Sequence, residues 1–283
     1  MAPVTLPRLV RARPARMHSA RPHYVRALLV GLLAAGLGLA LLGPFMAPAL
    51  GLPDPDAVAG GAFTRDNAVW GTDRLGRDVL SRALHGNLPL VTISVTAAVL
   101  STAIGAAVGL TLAWIPALRP VVRFATDVLV TLPPVLVILV VATAGNGSAV
   151  VVAAVTTLLF IPVSSRYLEA ASAPLLDSGF VEVARAEGRT RLDVTVREVI
   201  PGLSRPLLTE LSVRFTSAVY LVSTLAFLGG GVGGGGDDWA STVRDSIAGV
   251  TLNPWSVVVP AIGIALLTVP PALLADREGH GAI

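Results

Sequence analysis

Two charged islands interrupt an otherwise apolar sequence, and their residue types suit docking rather than covalent chemistry. The first reads Glu182-Val183-Ala184-Arg185-Ala186-Glu187-Gly188, with Val199-Ile200-Pro201 following after ten residues. The second reads Trp70-Gly71-Thr72-Asp73-Arg74-Leu75-Gly76-Arg77-Asp78-Val79-Leu80-Ser81-Arg82. Each mixes acids, arginines and glycines, the groups that make ion pairs, cap helices and form tight turns. Neither holds a nucleophile with a base beside it, and no Ser/His/Asp grouping can be assembled elsewhere. His18, His23, His85 and His280 are scattered without metal-ligand spacing, and there is no cysteine. The expectation is no catalytic residue, no cofactor and no metal. All 21 basic residues are arginine. The phosphate-cradling loop of nucleotide-hydrolysing proteins needs a lysine, so any ATP chemistry connected with this chain belongs on another polypeptide.

The islands sit in a chain of 283 residues that is 53% hydrophobic and 14% charged. That balance marks a membrane-embedded protein. A helix crossing the hydrocarbon needs roughly 17–25 apolar residues. Six stretches fit: 27–50, 88–115, 124–143, 149–163, 207–228 and 255–275, the fourth able to continue past Pro162 towards Arg166 and Glu169. The sequence predicts an all-α membrane protein with six transmembrane helices in one domain over 27–275. Residues 1–26 carry Arg8, Arg11, Arg13, Arg16, Arg21 and Arg26 with no acid. They read as a disordered cytoplasmic tail before an uncleaved first span, and 276–283 as a second cytoplasmic tail. Fifteen arginines lie in the two tails, the 115–123 turn and the 164–205 segment, against five in the opposite loops, which hold eight acids. The positive-inside rule then places both termini and the 164–205 island in the cytoplasm. Residues 51–87 and 229–254 become external loops, the latter beginning with seven glycines in eight residues and expected to be flexible.

The cytoplasmic island, 175–201, reads as a helical hairpin. Asp177 and Ser178 are helix starters, and Glu182 favours the positive end of the helix that follows. Ala184 and Ala186 keep the surface thin for a partner. Gly188 is a left-handed C-cap, and Thr190-Arg191-Leu192-Asp193 is a capping box that opens a second helix. Leu192, Val196, Val199 and Ile200 form one apolar stripe, and Pro201 ends the helix. In the external island, Gly71 and Thr72 are expected to open a helix. Asp73/Arg77 and Asp78/Arg82 are acid-before-base pairs at i,i+4, and Leu75, Val79 and Ala83 make its membrane-facing stripe.

Taken from the residues alone, the hairpin is either a plain amphipathic connector or a docking element. Its Glu-x-Ala-x-x-x-Gly pattern and the later β-branched pair with proline resemble the "EAA" loop of ABC importer permeases. The external island resembles the "GTDxxGRDvlsR" segment of the C-type permease subunit of dipeptide, oligopeptide and nickel importers. The resemblance covers roughly residues 68–260 and departs at Val183 and Glu187. It also departs at Leu225-Ala226-Phe227-Leu228-Gly229-Gly230, where peptide-type relatives carry "LSFLGLG". It implies a MetI-like type I importer permease in the bacterial inner membrane, most directly for di- or oligopeptides. Its implied partners are a homologous B-type permease subunit, two ABC ATPase subunits and an extracytoplasmic solute-binding protein, with no nucleic acid. Glu182, Ala184, Arg185, Gly188, Ile200 and Pro201 would form the ATPase-coupling loop. Gly71, Thr72, Asp73, Gly76, Arg77 and Asp78 would form the external segment, as a self-paired helix or as a contact for a partner. A permease for nickel, a metallophore or another small solute is the alternative within the class. A stand-alone secondary transporter or channel is the alternative outside it, and would show mid-bilayer carboxylates and inverted repeats.

Several further residues carry expectations. Asp127 and Glu210 should snorkel at span ends, and Arg214 should pair with Glu210 one turn away. Pro133-Pro134 and Pro162 should break their helices. Trp70, Trp239 and Trp255 should anchor at the external interface, and Asp237 and Asp238 should be solvated. Single cysteines at Ser178 and Asn67, on this cysteine-free background, are expected to react with an impermeant maleimide from opposite sides of the membrane. Labelling of both from one side overturns the orientation.

Overall fold

The structure, a computed structural model, describes residues 22–65, 68–85, 87–232 and 238–280. Most of the expected N-terminal tail and residues 233–237 of the glycine run lie outside them. Among the described residues there is no strand, only the isolated antiparallel bridges Val58–Arg77 and Thr72–Asp78. The helices in order are α1 (Pro22–Ala49), α2 (Val79–His85), α3 (Leu88–Trp114), α4 (Arg119–Thr131), α5 (Pro134–Ala144) and α6 (Ala149–Leu176). There follow α7 (Gly179–Ala186), α8 (Arg191–Val194), α9 (Ile200–Gly202), α10 (Ser204–Phe227), α11 (Trp239–Ser246) and α12 (Trp255–His280).

Among the described residues, four apolar helical stretches are long enough to cross a membrane, in α1, α2–α3, α6 and α12, and the broken pair α4–α5 makes a fifth if taken as one span. The pair bends by 80°. Its cause is local, because a residue before proline avoids the α region. Leu132 precedes Pro133 and Pro133 precedes Pro134, and both are extended, with ψ of 131° and 113°. The straight span expected over 124–143 is therefore two helices. Pro162, by contrast, breaks nothing. It lies buried inside the 28-residue α6, which runs on to Leu176. The tail expected at 276–283 is helical as far as His280.

α10 has 24 residues but is less apolar than the others, because it carries Glu210, Arg214 and a run of Ser and Thr. Its inward face supplies Phe215, Ala218, Val219, Val222, Leu225 and Ala226 to the main core. α3 and α6 add Leu90, Ile93, Ala97, Val152, Leu159 and Phe160. Glu210 is buried rather than snorkelling, only 4% exposed. Its carboxylate lies 2.9 Å from Arg214 Nε and accepts from Ser164 Oγ at 2.6 Å. The Arg214–Glu210 pairing is as the spacing indicates. Asp127 is exposed and pairs with Arg166 across α4 and α6.

Two glycines let α3 and α6 meet backbone to backbone. A Cβ on Gly105 would lie 2.5 Å from the Ser164 Cβ. One on Gly109 would lie 2.6 Å from the Ser165 carbonyl oxygen and 2.7 Å from the Glu169 nitrogen. Small residues of this kind are how helices approach in lipid. Gly109→Ala is expected to lower stability in detergent by about 1–3 kcal/mol, the usual penalty of overpacking. Gly38→Ala, with nothing within 4 Å of the new methyl, should not. Equal thermal unfolding of the two variants would contradict the seam.

Candidate functional site

The two islands lie at opposite ends of α3, a helix of 27 residues, or about 40 Å at 1.5 Å per residue.

At the C-terminal end of α3 the hairpin forms as its local signals dictate. Ser178 is extended at the N-cap of α7, and Glu182 stands in the first turn. Gly188, at φ +82°, closes a Schellman motif. Its N–H donates to the Arg185 carbonyl at 3.0 Å, and the Arg189 N–H to the Ala184 carbonyl at 3.2 Å. Thr190 caps α8, its Oγ1 accepting from the Asp193 N–H at 3.2 Å. Arg189 then staples the second arm, donating to Asp193 at 2.8 Å and Glu198 at 2.9 Å. The Glu198 hydrogen bond foremost, with Asp193 beside it, raises the Arg189 pKa.

Pro201 does not end this arm. Having no N–H, proline cannot bond the carbonyl four residues back. The preceding turn, Thr195–Val199, opens to a π pattern, with the Ile200 N–H on the Thr195 carbonyl. The helix then reaches Gly202 and passes almost directly into α10. The expected apolar stripe splits as a result. Val199 is buried, while Leu192, Val196 and Ile200 are 74%, 53% and 40% exposed. The buried side is Val194, Val199 and Leu203, packed with Leu110 of α3 and Val181 and Ala184 of α7. Ala184 therefore does not thin the outer surface; it is only 4% exposed. The outward face carries Phe180, Glu182, Val183, Arg185, Ala186 and Glu187, with Gly188 at the tip and open space around it.

One residue not anticipated from sequence fastens the hairpin. Trp114, the last residue of α3, donates its indole N–H to Thr195 Oγ1 at 2.8 Å. The guanidinium carbons of Arg185 and Arg191 each lie 5.7 Å from its ring centroid, within cation–π range. A tryptophan ending an apolar run was the available signal.

At the other end of α3, the helix expected from Gly71 is a turn. Gly71 and Gly76 have φ of +73° and +76°, which helices do not use. A Cβ on Gly76 would lie 2.2 Å from the Gly60 carbonyl oxygen. Asp73 is the hub: its carboxylate accepts from the Leu75 N–H at 2.8 Å, the Arg77 N–H at 2.9 Å and Arg77 Nε at 3.0 Å. The buried Arg82 guanidinium lies 3.5 Å from it. Arg77 also reaches Asp56 at 3.1 Å. Thr72 is buried, donating to the Gly61 carbonyl at 2.6 Å and accepting from the Thr64 N–H at 2.9 Å. Asp78 caps α2 by accepting from the Ser81 N–H at 2.9 Å. The expected membrane-facing stripe does not form, since Leu75 is exposed in the turn while Val79 and Ala83 are buried.

This segment is sewn to the chain before α12. Asn253 donates to the Trp70 and Thr72 carbonyls at 2.9 and 3.0 Å. Arg82 donates to Thr242 Oγ1 at 3.3 Å, and Trp239 Nε1 to the Ala83 carbonyl at 3.0 Å. Trp239 is thus a buried clamp, not an interfacial anchor. Asp238 is not solvated: it caps α11, accepting from the Ala240 and Ser241 N–H groups at 2.9 Å. Burial raises its pKa, with those donors opposing. Asp237 lies outside the described residues. Asn253, Thr242 and Trp239 carry no local signal, being far away in sequence from what they hold. Among the described residues no three His, Cys, Asp or Glu side chains converge to hold a metal ion.

Residues 101–277 match the family model described as binding-protein-dependent transport system inner membrane component. That match contains the hairpin and leaves the 71–78 turn outside. Three similar proteins add detail. A Brucella suis protein named provisionally as a peptide transport system permease is 30% identical over 208 residues, 74% of this chain and 70% of that one. The di/tripeptide transport system permease DppC of Pseudomonas aeruginosa is 28% identical over 209 residues, 74% and 69% of the two chains. The peptide transport system permease SapC of Salmonella typhimurium is 30% identical over 207 residues, 73% and 70%.

Asp73→Asn removes the carboxylate beside the buried Arg82 and is expected to cost about 3 kcal/mol, the scale of breaking a buried pair. Asp56→Asn, at an exposed partner, should cost less than about 1 kcal/mol. Thermal midpoints of the two purified variants check this, and equal shifts would remove Asp73 from the centre of the network.

Proposed function

The chain belongs to the binding-protein-dependent transport system inner membrane component family, and from that premise we propose that it is the C-type permease subunit of an importer for di- or oligopeptides. Its relatives' names support the solute class. The protein is a multi-pass component of the inner membrane and works with other ABC subunits. In our reading those are a homologous B-type permease, two ATPase subunits that carry all ATP hydrolysis, and an extracytoplasmic binding protein. α10 becomes the sixth span beside the five apolar ones, its charges paired inside the bundle. Both termini and the hairpin then face the cytoplasm, a placement supported by the arginine distribution. The permease domain spans 27–275, with 51–87 and 229–254 outside.

The observation that carries the reading is the hairpin's outward face. A capped, open-sided tip at Gly188 is held on a small core that joins α3, α6, α7 and α10. Glu182 and Arg185 stand on the exposed side, with Ile200 and Pro201 exposed on the second arm, while Ala184 packs beneath. An ATPase gripping that tip can move several spans at once. A recess of about 630 Å³ between α10, α11 and α12 has an almost wholly apolar surface. Phe227, Val243, Ala261 and Ile264 line it beside Tyr220 and Thr216, and no lining residue is charged. The turn at Gly71, Thr72, Asp73, Gly76, Arg77 and Asp78 serves as the clasp of the external side.

Gly188→Val forces a β-branched residue into a left-handed conformation, at about 1 kcal/mol or more, and thickens the tip. Glu182→Lys places a cation at a helix N-terminus. Both variants are expected at normal abundance in the membrane, with loss of the co-purifying ATPase and of ATP-driven peptide uptake. Pull-down and uptake from the same cells decide. Full assembly and transport in both variants would reduce the hairpin to a connector.

A further inference from the structure

The chain itself joins the hairpin to α6 on one side and to α10 on the other. Its connection to α3 is made by side chains alone. Leu110 supplies the apolar part of that joint, but apolar contact is non-directional and lets two surfaces slide or rotate. Trp114 supplies the directional part. Its ring meets Arg185 on the first arm and Arg191 on the second, each with its guanidinium carbon 5.7 Å from the ring centroid. Its N–H donates to Thr195 Oγ1 at 2.8 Å. Thr195 in turn donates to the Arg191 carbonyl at 2.7 Å, so the indole is bonded into the opening of the π turn. Turns of this kind often mark places where a helix is used. One side chain thus holds both arms in register on the last residue of α3.

α3 is suited to receive a push from that joint. It is 27 residues long and carries no proline beyond its first turn. Its flank lies against the α6 backbone at Gly105 and Gly109. Its N-terminal end follows directly on α2 and the Asp73–Arg82 clasp, which is sewn to Asn253 and Thr242. We propose that Trp114 is the positioning residue that locks the hairpin to α3, so that hairpin displacement is delivered along α3 to the external clasp. The proposal rests on the docking role given to the hairpin above.

The test uses the assembled importer in proteoliposomes, reading ATP hydrolysis together with uptake of radiolabelled trialanine. In Trp114→Ala, uptake per ATP hydrolysed is expected to fall severalfold, while the ATPase still co-purifies. Trp114→Phe keeps a ring face and loses the N–H donor, so it should fall less. Thr195→Val removes the acceptor, and the Trp114→Phe/Thr195→Val double variant should be no worse than Trp114→Phe alone. A merely structural tryptophan would lower yield and leave uptake per ATP unchanged, which overturns the proposal. If Trp114→Ala does not assemble, the Phe/Val pair decides, and additive losses overturn it. A second readout is independent of the ATPase. Spin labels on cysteines at Ile104 and Val196, both exposed, report the distance between α3 and the second arm in the chain alone. The distribution should broaden in Trp114→Ala, and an unchanged one overturns the joint. Should Gly188→Val and Glu182→Lys both retain full assembly and transport, the docking role fails, and this distance still judges Trp114.

Discussion

Lipid gives helices no hydrophobic reason to associate, so close approach and internal hydrogen bonding must hold them together. The seam between α3 and α6 is where this protein meets that demand most directly. Gly105 and Gly109 have no room for a Cβ, and they face Ser164, Ser165, Leu168 and Glu169. All four of those residues are buried. Once the two backbones touch, much else follows. Ser164 is set beside Glu210 and so fixes α10. Glu169 is set where Arg119 and Arg123 of α4 reach it, at 2.7 and 3.3 Å. The hairpin that leaves α6 is carried to the end of α3, within reach of Trp114.

The charges obey the same logic. A lone ionised side chain inside the membrane is costly, and such groups are normally paired or functional. Glu210 and Arg214 satisfy each other one turn apart on α10, with Phe160 beneath the guanidinium at 5.4 Å from its centroid. Their presence makes α10 the least apolar of the long helices, and it can be so because its neighbours shield it. The lower hydropathy of α10 thus fits its central place in the helix packing.

What was legible in the sequence was local. The cap at Gly188 and the box at Thr190 involve residues within five positions of one another, so their spacing already contains their geometry. Which face of the second arm is buried was not legible. A uniform α-helix would align Leu192, Val196 and Val199. The π turn before Pro201 adds a residue and rotates the face, so that Val194, Val199 and Leu203, spaced five and four apart, go inward instead. The external island misled for a related reason. An acid four residues before an arginine fits a helix, but it fits a tight turn equally well. Two glycines at positive φ decide for the turn. Its outer fastenings, Asn253 and Trp239, lie far away in the chain, where no pattern points to them.

Both islands prove to be built on one rule: a glycine in the left-handed region makes a tight reversal, and an arginine network fastens the chain beside it. In the hairpin the staple is Arg189 on Asp193 and Glu198; in the clasp it is Arg77 on Asp73 and Asp56. The difference lies in exposure. The clasp turns its polar groups inward, with Thr72, Asp73 and Arg82 almost wholly buried, so little of its chemistry is left for a partner. The hairpin buries an apolar underside and leaves charge and apolar surface outside. A surface of that kind on an apolar protein gains from being covered. The asymmetry between two similar motifs, more than either motif alone, separates the end that holds the bundle together from the end we propose as a docking surface.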